Sequence, residues 1–140
     1  MTRYYEDVNI DEEIPPVEKT PTEDLAVDFF GRGNPMNPAF ADAAAGKRLG
    51  LKGALVPGML KIAWMTQYAN DWAGPESTLE NIRVAYRRPD MAGTPLTLSG
   101  RVVDKRQEAG KGIVEVEVVT LADGQPSVRG NVQLVLPIRG

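Results

Sequence analysis

Two stretches of this chain carry residue types that could hold a ligand through the backbone. One is the Gly-, Asn- and Pro-dense run Asp28-Phe-Phe-Gly-Arg-Gly-Asn-Pro-Met-Asn-Pro-Ala-Phe-Ala41. The other is Gly53-Ala-Leu-Val-Pro-Gly-Met-Leu60, which launches the most apolar helical segment of the sequence. A Pro-Gly turn that starts a helix leaves unbonded N–H groups and the positive end of the helix dipole facing outward, an arrangement suited to a carbonyl oxygen or an anion. Gly58 and Met59 are therefore the candidate donors. Asn34 and Asn37 can face a ligand or can bond their own backbone as turn formers. Arg32 can pair with a phosphate or a carboxylate, or lie on the surface. Asp28 and Asp42 are lone carboxylates that could act as bases, although lone carboxylates are most often solvent-exposed.

What the sequence lacks narrows the chemistry further. There is no His and no Cys among the 140 residues. That removes Ser-His and Cys-His nucleophile pairs, thiolate chemistry and most zinc sites, and leaves carboxylates, Lys, Tyr or water for proton transfer. No metal and no redox cofactor is indicated.

These residues need a scaffold, and the length suffices for one. A chain of this size buries roughly 70% of the surface it would expose unfolded, so we expect a single domain over 1–140. A formal charge of −3 and a pI near 5.0 argue against a nucleic-acid surface. The first twenty residues are acidic and Pro-containing, unlike a signal peptide, and no apolar run reaches the roughly 18 residues needed to span a bilayer. The expected location is the cytoplasm.

Residues 1–17 read as an extended arm with at most one short strand, closed by Pro15-Pro16. Thr20-Pro21-Thr22-Glu23 has the form of a capped helix start with Thr20 as N-cap, and Leu25, Ala26, Phe29 and Phe30 make an apolar stripe ending at Gly31 or Gly33. Ala39–Gly46 reads as a short helix stopped by Gly46. From Gly58 to Trp72 the segment is apolar nearly all round, with Lys61, Thr66, Gln67 and Asn70 as its polar positions, so it should be buried, with Trp64, Met65 and Tyr68 in the core or, as the alternative, lining a ligand tunnel.

After Ser77 the period changes to two. Ile82/Val84/Tyr86, Leu96/Leu98/Val102, Val114/Val116/Val118 and Val128/Val132/Leu134 predict four half-buried strands. Turn residues in the connectors 90–95, 108–112 and 122–126 predict that each strand pairs with its sequence neighbour as a hairpin. The class is α+β: a curved antiparallel sheet wrapped around a long central helix, the hot-dog fold, for which a dimer is expected because an edge strand is left open.

Nearly the whole chain also resembles the MaoC-like (R)-specific enoyl-CoA hydratases and dehydratases. The resemblance rests on Tyr5-Glu-Asp-Val8, Thr22-Glu-Asp24, Gly31-x-x-Asn-Pro-x-x-Pro38, Gly53-x-x-Val-Pro-Gly-Met-Leu60, Tyr86-Arg-Arg-Pro89 and Gly93-Thr-Pro-Leu96, in that order. It implies a hot-dog dimer holding an acyl thioester, of coenzyme A or of a carrier protein, at the subunit interface. In that family an Asp and a His in the Asn-Pro loop activate water, and a backbone N–H at the central helix start polarises the thioester carbonyl. This sequence has Arg32 and Asn37 at those two positions, and neither takes a proton from water at neutral pH. The resemblance therefore implies thioester binding through Asn34, Asn37, Gly58 and Met59 without independent hydratase activity, either in a homodimer or beside a second MaoC-like chain. Asp71-Trp-Ala-Gly-Pro75 is similar to a run in small MaoC-like subunits of two-component hydratases acting on steroid-derived CoA esters. Two alternatives stay open: an active hydratase or hot-dog thioesterase using Asp28 or Asp42, and a homodimeric thioester-binding module without chemistry.

Overall fold

The alternation that begins after Ser77 becomes four long strands, and the chain's two longest apolar faces meet where they must. The computed structural model describes residues 1–30 and 43–140. A 3₁₀ turn at Tyr5–Asp7 is followed by β1 (Glu13–Lys19), α1 (Glu23–Phe30), α2 (Ala43–Arg48), α3 (Gly58–Ala73), β2 (Thr78–Tyr86), β3 (Leu96–Glu108), β4 (Lys111–Ala122) and β5 (Gln125–Leu136). The five strands form one antiparallel sheet in the order β1-β3-β4-β5-β2, and α3 packs on it.

The core forms between that helix and one face of the sheet. Met65, Tyr68, Ala69, Trp72 and Ala73 of α3 meet Leu98 and Val102 of β3, Val114, Val116 and Val118 of β4, and Val128, Val132 and Leu134 of β5. Each Val, Leu or Met side chain among them, fully buried, contributes roughly 1.5–3 kcal/mol. The alternating positions were thus read correctly in β3, β4 and β5. In β2 they are less buried: Ile82 and Val84 are half-buried, and Tyr86 is exposed.

Several local expectations need correction. The cap of α1 is Thr22, whose Oγ1 accepts from Leu25 N–H at 3.1 Å, so the helix starts two residues later than the Thr20 pattern suggested. Within the described residues the short helix is Ala43–Arg48, and Gly46 lies inside it instead of ending it. A Cβ there would run into the Gly53 carbonyl, so this glycine is required by close backbone approach.

Pro15-Pro16 does not close the first strand either. β1 runs through both residues as an edge strand, with a register shift between Ile14 and Val17. Prolines lack the ladder donor, and an edge strand with a bulge tolerates them. The Tyr68 hydroxyl shares its one proton between the carbonyls of Ile14 (3.1 Å) and Pro15 (3.0 Å), on the two sides of the bulge's start.

The largest correction is topological. β3–β4 and β4–β5 are hairpin pairs, but β2 pairs with β5 and not with β3. The 90–95 connector carries the chain across the sheet. Its donors and acceptors go to the segment before α3: Val56 N–H donates to Asp90 O at 2.8 Å and Ala92 N–H to Ala54 O at 2.9 Å. A turn-rich stretch that finds these long-range partners does not have to fold back on itself.

Candidate functional site at the start of the central helix

The first turn of α3 is fixed from three sides. The Ala54–Val56 strip is bonded to the 90–92 connector, and Pro57 O accepts from Leu60 N–H at 3.1 Å and Lys61 N–H at 3.3 Å. Arg87 and Arg88 N–H both donate to Ser127 O, at 2.7 and 3.1 Å, which anchors the end of β2 beside the helix start. Among the described residues no acceptor is recorded for the N–H groups of Gly58 and Met59. Both residues border a cavity of about 470 Å³ whose other walls include Val56, Tyr86, Arg87 and Arg88.

Tyr86 closes over the turn. Its phenol end lies 2.9 Å from where a Cβ on Gly58 would stand, so any larger residue at 58 must displace the ring. That ring is 50% exposed and can give way, and partial burial pushes its hydroxyl above the usual value. The Met59 side chain is 59% exposed, so the residue offers its backbone donor while its thioether stands at the surface.

Beneath Tyr86 sits an ion pair that sequence reading missed. Lys61 Nζ lies 3.1 Å from Asp90 Oδ2, both residues are 3% exposed, and the ammonium is 5.5 Å from the Tyr86 ring centroid. Lys61 reads in the sequence as part of a polar stripe, and nothing local links it to a residue 29 positions away. The one available signal was a lone Lys in a first turn that is otherwise apolar. Burial of either charge alone would be expensive, so each residue holds the other in place and ties the connector to α3.

This arrangement can present two backbone donors to an oxygen in a partly apolar cavity. Arg87 and Arg88, whose side chains have no partner among the described residues, supply a cationic rim. Of the residues singled out from the sequence, Gly58 and Met59 meet here. Asp28 is exposed on α1, while Arg32, Asn34, Asn37 and Asp42 lie outside the described residues. Met65 and Tyr68 are core, as expected; Trp64 is only partly buried. No group of three or more Asp or Glu residues that could hold a metal ion occurs among the described residues.

No protein-family model and no curated protein sequence matches the chain. Solved structures do. The ChsH1–ChsH2 complex from Mycobacterium tuberculosis matches with a TM-score of 0.80 at 20% identity over 91% of this chain and 98% of that one. The unliganded R-hydratase PhaJ1 from Pseudomonas aeruginosa gives 0.83 at 20% identity over 97% and 86%. A MaoC-like dehydratase from Rhodospirillum rubrum gives 0.83 at 16% identity over 99% of both. At these identities the likeness is one of fold: this is a hot-dog chain built on the architecture of the MaoC-like hydratases.

Proposed function

We propose that the chain binds an acyl thioester with its carbonyl at the start of α3, and that it does not hydrate an enoyl group unaided. The observation that carries the reading is the pair of N–H groups at Gly58 and Met59, unbonded among the described residues, in a helix start that borders a cavity also lined by Arg87 and Arg88. A thioester oxygen accepts from such donors, and the phosphates of coenzyme A suit a guanidinium rim. Proton transfer is the missing half. With no His in the chain, and with Arg32 and Asn37 where the resemblance expects an acid/base pair, hydration lacks groups that are each worth about 10²–10⁴-fold.

Such a chain is useful beside a competent partner. One of the similar structures is itself a complex of two chains, ChsH1 and ChsH2, and we extend that assembly to this protein as a second hot-dog chain carrying its own acid/base pair. No metal or redox cofactor enters the scheme.

Titration calorimetry with crotonyl-CoA tests the binding, and the loss of its conjugated absorbance tests the chemistry. Saturable binding without turnover is the expected result. Arg32→Asp combined with Asn37→His should then gain measurable hydration. Turnover by the wild-type chain alone would replace this reading with an active hydratase or thioesterase that uses a carboxylate base, and absence of binding would remove the thioester altogether.

A further inference from the structure

A second cavity, of about 510 Å³, lies along the other part of α3, between the helix and β1. Its helix wall is Trp64, Tyr68 and Trp72, which stand at i, i+4 and i+8 and so share one stripe. Its strand wall is Ile14, Pro15 and Val17, the stretch displaced by the proline bulge. Where the ladder to β3 shifts register, the Tyr68 hydroxyl bonds β1 to α3, and the slot lies beside that contact. By helix rise the slot begins about 9 Å beyond Gly58 and extends a further ~12 Å, from Trp64 to Trp72. It is therefore distinct from the cavity at the helix start.

The charges at its mouth choose among apolar ligands. Arg3 is already engaged: its Nε donates to Trp72 O at 2.7 Å, its guanidinium stacks 4.5 Å from the Trp72 ring centroid, and it faces Glu12 at 3.8 Å. That leaves Glu13 and Asp71, two carboxylates without a side-chain partner among the described residues, against the single ammonium of Lys19. An anionic headgroup meets net repulsion there, whereas a neutral one does not. The volume falls within the range of small-molecule sites, and the aromatic walls with a polar rim have the usual composition of one.

We propose that the slot between β1 and α3 is a separate binding site for an uncharged ligand with a hydrocarbon body, such as a long-chain alcohol. The inference does not depend on the thioester reading.

The chain supplies its own reporter, because both of its tryptophans, Trp64 and Trp72, line the slot. Titration with ω-bromoundecanol, whose bromine quenches indole on contact, should give saturable quenching of the tryptophan emission. The corresponding ω-bromoundecanoate should bind about fivefold more weakly at neutral pH and low salt, the effect of roughly one unscreened like charge near the surface. Val17→Phe, on an exposed part of the edge strand, should abolish quenching while circular dichroism stays unchanged. Saturating crotonyl-CoA, whose four-carbon acyl group is too short to reach from Gly58 to Trp64, should leave quenching unaltered. Linear, non-saturating quenching of the wild type would overturn the proposal. So would equal affinity for the acid, or displacement by crotonyl-CoA. The alcohol and acid comparison uses the wild-type chain and holds even where the variant fails to fold.

Discussion

The two halves of α3 use the same helix for opposite purposes. In its first turn a charge is buried next to the apolar Leu60: Lys61 is neutralised by Asp90 under the Tyr86 ring, and Gly58 and Met59 border a cavity that Arg87 and Arg88 also line. From Trp64 onward the helix lines the slot with Trp64, Tyr68 and Trp72, the Tyr68 hydroxyl donating to β1 and the Trp72 carbonyl accepting from Arg3, while Gln67, Asn70 and Asp71 stay exposed. Rigid anchoring at one end coexists with open apolar space at the other. A helix that merely filled the sheet would have neither the buried charge nor the slot. The difference therefore locates the places where this chain departs from plain core packing.

The sharpest way to break the polar half is to remove one partner of its ion pair. Lys61→Met alone strands the Asp90 carboxylate and should lower unfolding free energy by about 3–5 kcal/mol, whereas Lys61→Met with Asp90→Leu should recover most of it, as measured by urea denaturation. Near-additive losses would show that the two residues do not hold each other. In the aromatic half, burial pushes the Tyr68 hydroxyl up to about 12 from 10.0. The unfolded chain then loses this proton first, so stability is intact below pH 10 and falls between about pH 10 and 12, by at most about 3 kcal/mol. Tyr68→Phe should flatten that part of the pH profile. The same variant leaves two β1 carbonyls without their donor and should cost about 1–3 kcal/mol at neutral pH; an unchanged midpoint would mean that the bulge is held by something else.

A smaller effect is expected behind the helix. An alanine Cβ at Gly130 would stand 2.6 Å from Met65 Cε and 3.2 Å from Val84 Cγ1. Met65 can shift, so Gly130→Ala should cost about 1–3 kcal/mol, toward the low end of overpacking effects. Smallest of all is Arg3→Ala. Losing a part-exposed stacking contact and one hydrogen bond should cost about 1 kcal/mol or less, yet should shift Trp72 emission, since the ring loses its cationic cover. A silent spectrum would argue that the Arg3 stack is not populated.

How far the sequence could be read follows from the range of each determinant. Strand positions such as Val114, Val116 and Val118 announce themselves because alternation is local, and the Pro57-Gly58 turn announces a helix start for the same reason. Pairing does not. The 90–95 connector carries ordinary turn residues, and its bonds to Pro21, Ala54 and Val56, all distant in sequence, accompany a β2 that joins β5 instead of β3. The Lys61–Asp90 pair is silent for the same cause, since the two residues are 29 positions apart and meet only in the fold. The helix start at Pro57-Gly58 was legible from local turn chemistry, while the slot lies beside a bulge whose prolines read as a terminator of the strand.

That proline pair has a consequence for how copies of the sheet can meet. Pro15 and Pro16 have no N–H to offer, so the outer border of β1 is a poor template for a neighbouring strand, and β2 is left as the receptive border. Were two such sheets to join at β2 across a two-fold axis, the proline-bearing β1 borders would be poor templates for a further strand, and the assembly would stop at a pair instead of growing into a fibre.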